Sequence, residues 1–228
     1  MDKFVPQKIN TDKSLLKNQA YDIIKNAIIN NKLSHDKIYS QEFLSKSMGI
    51  SRTPVREALL QLQNEGMVKI YRGRGIQVIS TTAKDLSDIL ELSDAVECKV
   101  CNLAAKIITA SGIDKLEKIY EYQLQKANEK LVDDFMEQDR NFHLALALAT
   151  GNKRLYESVD IIHQMIQRSG FFVIYNSNYE NLYMIREEHR KVLDSLKKGL
   201  SDESENAMRI HIRGLSKRAE ECFAKLGK

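Results

Sequence analysis

Four side chains in the second half of the chain are of the types that bind a metal ion. Asp139 and His143, in DRNFH, are four residues apart, so on a helix they share a face and can hold one ion together. His189 stands in EEHRKVL and His211 in MRIHI. Each histidine has apolar neighbours at helical spacing: Phe142 and Leu146, Val192 and Leu193, Met208 and Ile212. That spacing puts each ring at the edge of an inward face. Three imidazoles and a carboxylate projected into a bundle interior suit one divalent ion, most simply zinc, with nickel or manganese also compatible with nitrogen and oxygen ligands. Spacing alone leaves open that each is an ordinary core or surface histidine. His35, in a polar turn, reads as solvated.

A second set of chemically capable residues lies near the start. Arg52 and Arg56 surround Thr53-Pro54 at the head of an apolar-periodic segment, and Arg72 and Arg74 occupy RGRG. A guanidinium beside a helix N-terminus, with its free N–H groups and positive dipole, suits a phosphate. Arginine also reads guanine in the major groove with a two-pronged bond. Arginines on a hairpin tip reach the backbone or the minor groove. A plain solvated basic surface is the competing reading of the arginines taken alone.

Elements must position these groups. After a tail over residues 1–12, apolar spacing predicts a helix from about Ser14 to Asn30, which NNKLSHDK ends. Ser40 caps a short second helix and Gly49 ends it. A third helix starts at Thr53, with Pro54 at its first position, and stops at Gly66. MVKIY and GIQVI then read as two strands of a β-hairpin. The order is that of a winged helix-turn-helix. From Lys84 onward the pattern is all helix, giving a bundle of six or seven helices. Its breaks fall at Ser111-Gly112, at Thr150-Gly151-Asn152 and before a helix from about Asn178 to Lys198.

Charge agrees with this division. Residues 1–80 hold 13 Lys and Arg against 7 Asp and Glu, while the remainder holds 22 against 24, so the basic front is the part suited to a polyanion. With ten glycines, two prolines and no tryptophan, a large all-β fold is excluded. No run approaches the length of a membrane span and MDKFVPQKIN lacks a signal-peptide core, so a cytoplasmic protein is expected. Three cysteines fit a reducing compartment. Cys98 and Cys101 form C-x-x-C inside a helical pattern without a second pair, which favours buried cysteines over a zinc or redox site.

SRTPVREALLQLQNEGMV followed by RGRGIQV resembles the DNA-binding domain of GntR-type bacterial transcription regulators, over about residues 13–80. The resemblance implies that Ser51, Arg52, Thr53, Arg56, Arg72 and Gly73 contact operator DNA. Some relatives place a DNA-contacting arginine where Glu42 stands here. DRNFHLALALATGNKRL and EEHRKVLDSLKKGLSDESENAMRIHI are similar to the C-terminal FCD domain of the FadR subfamily, over about residues 85–222. Many FCD domains hold a metal through an Asp and three His, which map to Asp139, His143, His189 and His211.

The resemblance thus implies a mainly α protein, a regulator and not an enzyme. It would bind a palindromic operator as a homodimer, most commonly as a repressor. A small effector, a carboxylate such as a sugar acid, would act at the metal site. Many relatives hold the effector's acid group with an arginine where this chain has Ser93; His163 and Arg168 are the alternative polar contacts, against a reading of both as a partly exposed helix face. The rival functions are a metal-dependent enzyme acting on an organic acid, with Glu188 as its nameable base, and an architectural DNA-binding protein with no ligand.

Overall fold

Ala20, Ile24, Ala27 and Ile28 fall on one face of α1 (Leu16–Ile29) and are buried together, which is why this stretch coils. In the computed structural model the described residues are 16–30, 32–80, 82–175 and 179–225, the side chains of 168–175 excepted. The tail expected over residues 1–12 and the expected helix start at Ser14 lie outside them. The chain divides into two units, Met1–Ser80 and Thr81–Lys228, each with its own apolar core.

In the first unit, α2 (Gln41–Met48) follows Ser40, whose hydroxyl accepts from the Phe43 N–H at 3.0 Å. Gly49, at φ +67°, closes α2 in the left-handed conformation that turns the chain into the next helix. That helix, α3 (Arg52–Asn64), has its first position two residues earlier than its sequence suggests. Ser51 is the N-cap residue, and Thr53 and Pro54 lie within the first turn. Proline fits anywhere there, because none of the first N–H groups has an intrahelical partner.

The hairpin β2 (Val68–Tyr71) and β3 (Gly75–Val78) is antiparallel, with Ile70 opposite Ile76. A third strand, β1 (Ile38–Tyr39), pairs with the far side of β3. Two residues are too short to show a period of two, so no sequence pattern announces it. Gly75 permits the pairing: a Cβ there would lie 2.3 Å from the Tyr39 carbonyl oxygen.

The second unit is six helices among the described residues: α4 (Ala83–Ile107), α5 (Ala110–Asn128), α6 (Val132–Ala149), α7 (Lys153–Tyr175), α8 (Glu180–Lys197) and α9 (Ser201–Lys225). Thr82 and Asp85 start α4 with a reciprocal capping box. The break expected at Ser111-Gly112 falls instead at Ile108-Thr109. Thr109 caps α5 by accepting from the Gly112 N–H at 3.2 Å, so the glycine sits inside the first turn. Cys98, Cys101 and Cys222 are buried free thiols.

The long α4 packs against α9, α7 and α6, and α8 lies against α5 and α9. A core including Leu90, Val100, Phe142, Leu146, Val192 and Met208 fills the space between them. No helix among the described residues is long and apolar enough to cross a membrane.

Candidate functional site

Each helix of the second unit sends at least one polar side chain into the same buried region. They are Glu97 from α4, Gln123 from α5, Asp139 and His143 from α6, His163 from α7, His189 from α8 and His211 from α9, all under 9% exposed. A polar cluster so far from water costs free energy unless its members satisfy one another or bind something.

The three histidines singled out by spacing meet, and Asp139 stands against one of them. His143, His189 and His211 each bring a ring nitrogen to within 4.8 Å of the others. His143 Nε2 and His189 Nε2 are 3.2 Å apart, and Asp139 Oδ1 is 3.6 Å from His189 Nε2. Phe142 stacks on His189 with ring centroids 4.3 Å apart, which fixes that imidazole's plane.

Outer partners set the tautomers. His143 Nδ1 lies 2.5 Å from Glu97 Oε2, and His211 Nδ1 lies 2.9 Å from Glu188 Oε2. His189 Nδ1 is 2.9 Å from Gln123 Oε1, whose amide nitrogen in turn faces Asp139 Oδ1 at 3.5 Å. A carboxylate or amide oxygen facing Nδ1 can only accept, so each Nδ1 carries a proton and, in the neutral ring, each Nε2 keeps its lone pair. Three imidazoles oriented by acceptors on their far side form the arrangement in which such rings ligate a metal. Two nitrogens about 2.0–2.1 Å from one ion stand roughly 3–3.5 Å apart, so the 3.2 Å separation fits. The residues present therefore fit one divalent ion.

Glu188, the base that an enzyme reading would need, is committed elsewhere. Arg218 donates to both its oxygens, at 2.7 and 2.9 Å, while His211 donates to Oε2. Burial opposes its ionisation, but the hydrogen bonds from His211 and Arg218 prevail and hold its pKa below the usual value. Gly214, inside α9, makes room for this brace: a Cβ there would meet Glu188 Oε1 at 2.6 Å and an Arg218 nitrogen at 2.9 Å.

Glu97 was not singled out as a site residue, although it stands one helical turn from Ser93. Burial would raise its pKa; the facing His143 and His163 outweigh that and keep it well below the ordinary range. Burial likewise depresses His143, yet Glu97 lifts it above the usual imidazole value. Burial dominates at His163, which is lowered, and at His189, where neighbouring His211 and His143 push further the same way.

Ser93 and His163 both line a small cavity beside this cluster, together with Glu97, Asp139, His143 and His211. It has room for a water-sized group or two. His163 is 2% exposed, which corrects the expectation of a partly exposed helix face. The side chain of Arg168 lies outside the described residues.

In the first unit, Ser51, Arg52, Thr53, Arg56, Arg72 and Gly73 are all exposed. Ser51 makes no side-chain capping bond, so the N-terminus of α3 stays open. Arg52 pairs with Glu42 of α2 at 2.9 Å, and Glu42 also pairs with Lys46 at 2.8 Å. Gly73, at φ +70°, makes the wing turn between Arg72 and Arg74.

Comparison with known proteins agrees with both halves. Residues 16–78 match the family of bacterial regulatory proteins, gntR family, and residues 88–214 match the FCD domain. The chain is 26% identical over 198 residues to the HTH-type transcriptional repressor RspR of Escherichia coli K12, covering 87% of this chain and 86% of RspR. It is 29% identical over 195 residues to the Uxu operon regulator of Haemophilus influenzae, covering 78% and 71% of the two chains. Among solved structures, E. coli McbR/YncC superposes with a TM-score of 0.81 at 18% identity, over 91% of this chain and 98% of that one. A GntR regulator from Rhodococcus sp. RHA1 gives 0.76 at 17% identity, over 90% and 97%.

Proposed function

The chain belongs to the gntR family of bacterial regulatory proteins, carries an FCD domain and is a transcription regulator; on that premise we propose that it is a metal-dependent, metabolite-responsive repressor. The observation that carries the metal reading is the convergence of three Nε2 lone pairs, each fixed by an acceptor behind its ring. Asp139, His143, His189 and His211 hold the ion. When bound, it offers coordination positions to an oxygen ligand such as a carboxylate. The effector is a small organic acid. Its entry into so small a cavity displaces apolar wall residues such as Ile166, Ile185 and Leu215, and so shifts the helices that carry them.

Operator recognition rests on Arg52 and Arg56 at the head of α3, with Ser51 and Thr53 beside the free helix N–H groups and Arg72 and Gly73 at the wing. A palindromic operator and a homodimer follow from reading two half-sites with identical helices. Ile161 and Met165, one turn apart on α7 and half exposed, give the second unit an apolar stripe for pairing. The repressor sign is supported by the name of the relative RspR.

The test uses the full chain purified without chelator. Metal analysis should find about one divalent ion per chain. An organic acid that weakens operator binding in fluorescence anisotropy should lose its effect after chelation. Metal-free protein that still responds would overturn the proposal.

A further inference from the structure

One buried polar atom at the cavity has no hydrogen-bond partner among the described residues: His163 Nδ1. The ring's other nitrogen, Nε2, is 3.0 and 3.2 Å from the two oxygens of Glu97. Facing a carboxylate, Nε2 carries the proton, so Nδ1 presents a lone pair. Across from it, 4.0 Å away, stands Asp139 Oδ2, another acceptor. Glu97 cannot help, since it faces Nε2 and, as an ionised carboxylate that accepts from Ser93 Oγ at 2.6 Å and from His143 and His163, it has no proton to donate. Leaving a buried acceptor unpaired is costly, and buried polar groups in folded proteins are almost always paired.

The position between these acceptors excludes a carboxylate or ketone oxygen, which would face two lone-pair-bearing groups. It calls for a donor. An ammonium group is disfavoured there by the divalent ion proposed beside it, because like charges repel at such distances. A hydroxyl meets both conditions. We propose that His163 is a specificity residue that accepts a hydrogen bond at Nδ1 from a hydroxyl of the effector, so that the site selects hydroxy acids over their deoxy and amino counterparts. This rests on the metal reading above for its preference of hydroxyl over ammonium. Glu97 acts behind His163, fixing the tautomer that makes Nδ1 an acceptor.

Glycolate, acetate and glycine form a matched set for the test: they differ at one group and, being among the smallest organic acids, demand the least displacement of the cavity wall. Calorimetric titration of the metal-loaded full chain should give glycolate an affinity at least about tenfold above acetate and glycine, the size expected from one buried hydrogen bond. His163→Phe keeps the ring's bulk without the acceptor and should shrink the preference to about twofold or less, with metal content unchanged. His163→Gln can donate to Glu97 with its amide nitrogen and offer its oxygen in place of Nδ1, so it should retain the preference. Equal responses to glycolate and acetate in the wild type, including no response to either, would overturn the proposal and leave the position to a bound water. So would a preference that survives in His163→Phe. Glycolate binding that persists after chelation strikes the metal reading instead, and the comparison of wild type with His163→Phe then decides the role of His163 separately.

Discussion

His143 and His189 aim their Nε2 atoms at each other across 3.2 Å, while their Nδ1 atoms are already engaged by Glu97 and Gln123. Two lone pairs in that relation repel unless a proton or a cation lies between them. A bound cation would take that position, with a His211 ring nitrogen within ligand reach of it. His189→Ala and His211→Ala should each lose the metal and the effector response. Both should keep operator binding in the metal-free state, because the recognition helix belongs to the other unit. His163→Ala should keep the metal. Plasma emission analysis of the purified variants, beside anisotropy on operator DNA, checks all of this. Stoichiometric metal retained in His189→Ala would show that the histidines are packing residues.

The brace behind His211 gives an independent test. A glycine inside a helix costs about 1 kcal/mol relative to alanine, so Gly214→Ala ought to stabilise α9. Here the new methyl would strike Glu188 Oε1, which Arg218 and His211 hold in place. Displacing Glu188 frees the His211 ring to turn. Metal affinity should fall by about 10- to 100-fold, as for other lost outer partners, while the metal-free melting temperature changes little. Unchanged affinity by competition with a chelator would show that Glu188 does not orient His211.

The second unit should also account for dimerisation. The first unit has an apolar core of its own, including Ile24, Leu44, Leu59 and Ile76, and among its described residues exposes apolar ones such as Ile38 and Leu60 without a stripe at helical spacing. The second leaves Ile161 and Met165 half exposed on one face of α7. Sedimentation of the full chain should give a dimer, and Ile161→Glu with Met165→Glu should shift it toward monomer. A dimer unaffected by both charges would move the interface off this face.

Much of this was legible in the sequence because its signals are local. Ser40 and Gly49 mark the ends of α2 by cap chemistry, and Asp139 and His143 share a face by spacing alone. What spacing cannot give is convergence. Glu97, Gln123 and Glu188 lie 46, 66 and 23 residues from the histidines they orient. Nothing local distinguishes Glu97 and Gln123 from other polar residues on amphipathic helices, and Glu188 is marked only by its adjacency to His189, not by the His211 that it orients. The displaced break before α5 has a local cause: Thr109 is as good a cap as Ser111, and packing of Ile108 against the core selects it. His163, which the sequence leaves between a pocket contact and a partly exposed helix face, is buried, and Glu97, on another helix, meets it.

The last prediction concerns DNA. Arg52 is exposed at the head of α3, and Glu42 holds its guanidinium from α2 at 2.9 Å. A carboxylate in that place favours one direction of the arginine's fork. Arg52→Ala should weaken operator binding by about 1–3 kcal/mol, the cost of one lost bidentate guanine contact, with a much smaller effect on scrambled DNA. Lys46→Ala, which removes a charge without a base contact, should weaken both duplexes alike and modestly. Glu42→Gln separates the two effects: one negative charge fewer should tighten binding to any DNA, while the released arginine should lower the ratio of operator to scrambled affinity. An operator selected from a random duplex library, with isotherms at one salt concentration, supplies the measurement. Equal changes in that ratio for Arg52→Ala and Lys46→Ala would remove Arg52 from base reading, and an unchanged ratio in Glu42→Gln would remove Glu42 from orienting it.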